Sequence, residues 1–284
     1  MTVKSILCPY QGLEYEAAAL QEACRRASAA GAELRILYIT GPIAAYPDLY
    51  GADVRKLETE ALDEVERAQI AAESVVRTFN LPFSVERLAA SAPTLPRVIF
   101  SSATVSVSAA LPPFGRVSDL VIVGRAETGP DQHLQTAVTA ILETGAPVLV
   151  MPPAPAKAAL DEGAAVVAWD GSLPSSRALR AVAALLPSGR QVQLLRIRPA
   201  RETSPGAESG AVGWLELHGY RVHVIHSGPF AVTAAEAVLR AIEDMDASLV
   251  FMGGYGHSHQ GEMLWGGVTQ HMLRHARTPL CVCH

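Results

Sequence analysis

Two stretches of this chain say nearly the same thing twice. Asp119-Leu-Val-Ile-Val-Gly124 resembles Ser248-Leu-Val-Phe-Met-Gly253, and Gly145-Ala-Pro147-Val-Leu-Val-Met151 resembles Arg277-Thr-Pro279-Leu-Cys-Val-Cys283. Each half also opens on an apolar strand followed by a helical pattern: Ser5 to Cys8 then Tyr15 to Ala30, and Ala164 to Trp169 then Pro174 to Leu186. A second strand follows in each, Glu33 to Ile39 and Gln191 to Ile197. Repeats of this length are duplicated domains rather than solenoid units. The expected boundaries are residues 1–152 and 160–284, joined by the Pro/Ala segment Pro152 to Lys157, which reads as a semi-rigid linker.

Short apolar strands that alternate with amphipathic helices require a parallel sheet covered on both faces. The second half is expected to run β 164–169, α 174–186, β 191–197, α near 207–218, β 221–227, α 230–244, β 248–253, α 268–275, β 279–283. In the first half, Tyr38 to Asp53 reads as a Pro/Gly/Tyr-rich loop, Arg55 to Phe79 as one long charged helix, and Phe83 to Leu88 as the third strand. The fold class is therefore α/β, with two repeated, doubly wound, Rossmann-like domains. Ligands in such sheets sit beyond the carboxyl ends of the strands, near the point where the strand order reverses. Gly253 and Asp170 both fall at such ends.

The glycines Gly253-Gly254-Tyr255-Gly256 and Gly266-Gly267 lie between a strand and a helix that opens at Val268. A strand, a glycine-rich loop and a helix N-terminus can converge backbone N–H groups on a phosphate. Glycines at such junctions also serve as plain turn residues, and Asp170-Gly171-Ser172 reads equally well as a helix cap. Composition narrows the partners. Net charge is −5 and no basic run is visible, which argues against nucleic acid. Pro and charged residues interrupt every apolar run, so no membrane span is expected. The N-terminus lacks the apolar region of a signal peptide. The four cysteines (Cys8, Cys24, Cys281, Cys283) make no disulfide framework, so a reducing cytoplasm is expected.

Several residues invite chemistry. His257 and His259 lie in the glycine loop, where they would make phosphate binding depend on pH. His271 and His275 stand one helical turn apart, but nothing fixes a third ligand, and no metal site is assigned on this pattern. Ser172, Ser175 and Ser176 lack a nucleophile-elbow context, and the P-loop lysine is missing, so no catalytic residues are assigned.

Gly253-x2-Gly256-x9-Gly266 resembles the G-x2-G-x9-G pattern of the universal stress protein family, with Gly267 where that family carries Ser or Thr. Val268-Thr269, Leu273-Arg274-His275-Ala276, Thr278-Pro279 and Ala168-Trp-Asp170-Gly-Ser172 are similar to the family as well. The resemblance implies a tandem member with two adenine nucleotide alpha hydrolase-like domains. It implies ATP or ADP, with Mg2+ accompanying the nucleotide. Asp170 would meet the adenine, and Gly253, Gly256, Gly266, Gly267 and Val268 would offer the phosphate-loop backbone, with His257 beside it. The first half departs further: Tyr10 replaces the aspartate, Arg125-Ala-Glu-Thr-Gly129 breaks the glycine pattern, and its loop is about one turn shorter. It is expected to be a degenerate copy without the nucleotide.

The last strands, Pro147 to Met151 and Pro279 to Cys283, are apolar on both faces and need a partner. The resemblance implies that they pair with each other in an internal pseudo-dimer. Two chains would then associate as a homo-oligomer, with the helix from Arg55 and the loop before it as contact surface. The expected function is a regulatory nucleotide ligand in a stress response. The alternatives are a nucleotide-free scaffold acting on an unknown protein partner, or a slow ATPase.

Overall fold

The structure is a computed structural model that describes residues 3–40, 54–86, 94–126, 132–154, 160, 163–196, 206–226, 233–255 and 267–284. The chain divides into two compact units, Thr2–Ala146 and Pro147–His284. Both are α/β units with mostly parallel sheets, the class expected from the alternation of strand and helix. Among the described residues, no helix is long and apolar enough to cross a membrane.

The first unit runs β1 (Ser5–Tyr10), a 3-10 turn (Glu14–Glu16), α1 (Ala17–Ala30), β2 (Glu33–Thr40), α2 (Val54–Thr78), β3 (Phe83–Val85), β4 (Arg97–Thr104), α3 (Val107–Gly115), β5 (Leu120–Gly124) and α4 (Gln132–Glu143). The strand order is β3-β4-β2-β1-β5, with every described pair parallel. The expected third strand at Phe83 to Leu88 shrinks to a three-residue edge, and β4, not foreseen, takes the place beside β2. The expected loop from Tyr38 also starts too early, because Tyr38, Ile39 and Thr40 finish β2; its remainder lies outside the described residues.

The second unit runs β6 (Val148–Met151), β7 (Ala164–Trp169), α5 (Leu173–Leu185), β8 (Gln191–Arg196), α6 (Ala207–Leu217), β9 (Arg221–His226), α7 (Ala234–Asp244), β10 (Ala247–Gly253), α8 (Gly267–His275) and β11 (Leu280–Cys283). Its order is β6-β11-β10-β7-β8-β9. All pairs are parallel except β6 with β11, which is antiparallel with Leu280 opposite Val150 and Val282 opposite Val148. All residues of both end strands are buried. Each therefore supplies the hydrogen-bonding partner that a fully apolar edge requires.

The core explains why these segments choose these elements. Strands β5, β7 and β10 are buried along almost their whole length, as continuous apolar runs between two helical layers must be. Helix α1 buries Ala19, Leu20, Ala23, Cys24 and Ala27, and α5 buries Ala178, Leu179, Ala181, Val182 and Leu185. Those are single helical stripes, and their many alanines let the helix axis lie close to the sheet. The reversal of strand order between β7 and β10 opens the carboxyl edge of the second unit, where the candidate residues gather.

Candidate functional site

Strand β7 delivers Asp170 to that edge. Beyond Trp169 the chain turns through Gly171, whose φ of +80° lies in the left-handed region that glycine tolerates best. The Asp170 carboxylate Oδ1 accepts the Ser172 N–H at 2.9 Å, which fixes the direction of the carboxylate. Ser172, not Asp170, is the N-cap of α5: its Oγ accepts the Ser175 N–H, and Pro174 sits in the first turn. The hydroxyls of Ser175 and Ser176 both donate back to Ser172 O at 2.9 Å, so the three serines bond among themselves around the first turn of α5.

Strand β10 brings Gly253 alongside. Met252 pairs with Ala168, which places Gly253 next to Trp169, one residue before Asp170. A Cβ at Gly253 would stand 2.7 Å from Ser175 N and 2.9 Å from Pro174 Cβ. Glycine is thus required here by the first turn of α5, whatever the ligand. Gly253→Ala is expected to lower the stability of the second unit by about 2 kcal/mol through overpacking. All three tryptophans (Trp169, Trp214, Trp265) lie in this half, so urea unfolding followed by tryptophan fluorescence reads that loss directly.

After Gly253 the turn is tied down three ways. Gly254 N donates to Cys283 O at 2.8 Å, and His284 Nδ1 donates to Gly254 O at 3.1 Å. The Arg177 guanidinium donates to the His284 carbonyl. Tyr255 adopts φ +55°, which is strained for a residue with a side chain, and its N–H donates to Thr269 Oγ1 at 3.2 Å. Thr269 is buried in the first turn of α8, so this bond stitches the strand end to the helix that opens at Gly267. Thr269→Val keeps the shape and removes the acceptor. It is expected to cost about 1–2 kcal/mol in the same fluorescence assay.

Tyr255 carries a second anomaly. Its hydroxyl is buried with no hydrogen-bond partner among the described residues, and burial pushes its pKa up to about 12. A buried, unmade hydrogen bond is a liability rather than a support, so Tyr255→Phe is expected to leave stability unchanged or raise it by about 1 kcal/mol.

The structure brings Asp170 and Gly253 together at neighbouring strand ends and puts Gly267 and Val268 at the N-terminus of α8. Gly256, Gly266 and His257 lie outside the described residues, as does His259. Gly267 differs from Gly253: among the described residues nothing lies within 4 Å of its Cβ position, so none of them demands glycine there. Arg177 and His284 were not foreseen as parts of this edge; Tyr255 and Thr269 were named in the loop pattern, but not as a bonded pair. For Thr269 a signal existed, a hydroxyl residue in the first turn after a glycine loop.

Farther along the same edge, Arg196 is in register with Trp169 on one side and His226 on the other. Glu208, in the first turn of α6, accepts from Arg196 Nη1 at 2.6 Å and from His226 Nε2 at 3.1 Å. The hydrogen bond from His226, and then that from Arg196, hold its carboxyl below the usual range.

The corresponding end of the first unit is filled from within. Tyr10 does not take the place of Asp170 as expected: it ends β1 as Trp169 ends β7, buried like it, and Gln11 follows where the second unit has Asp170, ahead of the left-handed Gly12 that matches Gly171. Gly124 has the same packing need as Gly253: a Cβ there would meet Glu16 Cα at 2.7 Å and Tyr15 O at 3.0 Å. Glu16, only 5% exposed, accepts the Gln11 N–H at 2.8 Å and the Leu13 N–H at 3.0 Å through one oxygen. Burial raises its pKa to about 7 against the pull of those N–H groups. Arg125, 2% exposed, stands where the second unit has Gly254.

Residues 164–284 match the model of the universal stress protein family, as one domain. No match was found among curated proteins. Among solved structures, a universal stress protein from Archaeoglobus fulgidus DSM 4304 is similar at 16% identity, over 100% of this chain and 99% of its own, with a TM-score of 0.66. A protein from Pseudomonas aeruginosa UCBPP-PA14 assigned to the same family is 16% identical over 99% of this chain and 93% of its own, with a TM-score of 0.55. At these identities the likeness to solved structures establishes the fold. The family match, which starts with β7, covers the edge that carries Asp170 and the glycine turn.

Proposed function

We propose that the second unit binds an adenine nucleotide, ATP or ADP, as a regulatory ligand in a stress response. The chain would be a cytoplasmic tandem universal stress protein whose first unit is a degenerate copy. The observation that carries this reading is the meeting of Asp170 and the Gly253–Tyr255 turn at the strand-order reversal, inside the segment that matches the family. Asp170 would take the adenine. The backbone of Gly253, Gly256, Gly266, Gly267 and Val268 would take the phosphates, with His257 beside them and Mg2+ accompanying the nucleotide. The nucleotide would bias conformation or partner choice, with turnover secondary. Two chains would assemble through α2 and the loop before it.

The first test is mass spectrometry of the supernatant from denatured, purified protein. ATP or ADP at about one per chain is the expected result, and Asp170→Ala with Gly256→Val then locates it. Added ATP should also stabilise the second unit, by about 2.7 kcal/mol at a hundredfold excess over the dissociation constant. No nucleotide, together with no thermal shift in millimolar ATP, overturns the proposal. One observation favours a nucleotide-free scaffold as the second reading: the packing of α5 alone accounts for the glycine at 253. That reading predicts full folding without ligand and makes partner capture the next experiment.

A further inference from the structure

His271 and His275 occupy successive turns of α8, and their rings lie together, with centroids 4.4 Å apart and planes tilted by 49°. His271 is half-buried and His275 exposed. Neither imidazole makes a hydrogen bond or ion pair with a described residue. Other histidines of this unit behave differently: His218 bonds Trp214 O, His226 bonds Glu208, and His284 bonds Gly254 O.

We propose that His271 and His275 form a two-histidine site for a divalent transition-metal ion of the zinc class. Histidines four apart on a helix present their nitrogens on one face, the arrangement that grips zinc in helical metal motifs. Here the two rings already lie in contact, so both imidazoles are within reach of one ion. Imidazole nitrogen suits zinc, copper and nickel and not the hard ions magnesium or calcium, which separates this site from any cation that accompanies a nucleotide. Among the described residues, no group of three or more His, Cys, Asp or Glu converges. With these two ligands and water completing the shell, the proposed site is open and reversible rather than structural. The inference stands on α8 alone and does not depend on nucleotide binding.

The test is calorimetric titration of the full chain, free of any affinity tag, with zinc chloride in a non-chelating buffer without nucleotide. One zinc per chain is expected. His271→Ala and His275→Ala should each lower the affinity about tenfold or more, at least the loss seen when a mere outer-shell partner is removed. The double variant should take up none. His218→Ala and His223→Ala should bind as the parent does. His275 is exposed, so its variant keeps the fold and decides the matter even if His271→Ala does not fold. Absence of zinc uptake by the parent, or uptake that survives the double variant, overturns the proposal.

Discussion

Glu16→Gln is expected to abolish a stability loss of about 3 kcal/mol that the parent suffers in its first unit between acid and mildly alkaline pH. The folded pKa of Glu16 is about 7, against about 4.5 for the free side chain. A carboxyl raised on folding binds its proton more tightly in the native state. Its contribution is fully present below about pH 4.5 and is lost as pH rises through 7, because the unfolded chain then holds fewer protons than the native one. At 1.36 kcal/mol per pKa unit, the shift corresponds to about 3 kcal/mol. Glutamine keeps an acceptor for the Gln11 and Leu13 N–H groups, which share one Glu16 oxygen, and it cannot ionise. Other titrating groups affect parent and variant alike, so the difference between them isolates Glu16. Urea unfolding at pH 4.5 and 8.5 measures it. Circular dichroism is the probe, since no tryptophan lies in the first unit. A parent–variant difference that is the same at both pH values would refute the assignment.

The same residue shows where sequence stops being legible. A glutamate at the start of an amphipathic helix looks like a solvated charge that favours the helix dipole. Its burial comes from the close approach of β5, where Gly124 presses against Glu16 Cα, and that contact joins residues far apart in the chain. Gly253 is a parallel case. Its position at the end of an apolar strand was legible; that it answers to Pro174 and Ser175 was not. The alternation of strands and helices was readable almost throughout the second half, because buried parallel strands are unbroken apolar runs. It failed in the first half around β4 and α3. There, α3 carries Pro112 and Pro113 inside a helix of nine residues, a pattern that reads as a break because proline removes a donor and crowds the preceding turn. A helix that short has few interior bonds to lose, so tertiary packing prevails. Thr269 was visible in the motif, but its bond to Tyr255 depends on a left-handed turn at a residue that is not glycine.

Gly267→Ser is expected to tighten ATP binding by about tenfold to a hundredfold if the second unit holds a nucleotide as proposed. Gly253 and Gly267 respond oppositely to a side chain. Gly253 has Ser175 N at 2.7 Å from its Cβ position, whereas Gly267 has nothing within 4 Å among the described residues and no left-handed φ to lose. A serine therefore fits at the first position of α8, where the first N–H groups of a helix have no intrahelical acceptor and would suit an anion. Its hydroxyl adds one hydrogen bond to a charged phosphate oxygen, worth about 1.5–3 kcal/mol, or roughly one to two decades in the dissociation constant. Serine is also a better helix former than glycine in most settings, so the fold should not suffer. Isothermal titration of parent and variant with ATP gives the ratio. Adenosine serves as the control, since it lacks the phosphates and should bind both alike. An affinity gain shared by adenosine, or no gain for ATP in a folded variant, would place the phosphates away from α8 and favour the scaffold reading, in which Gly267 is a turn residue with no ligand to meet.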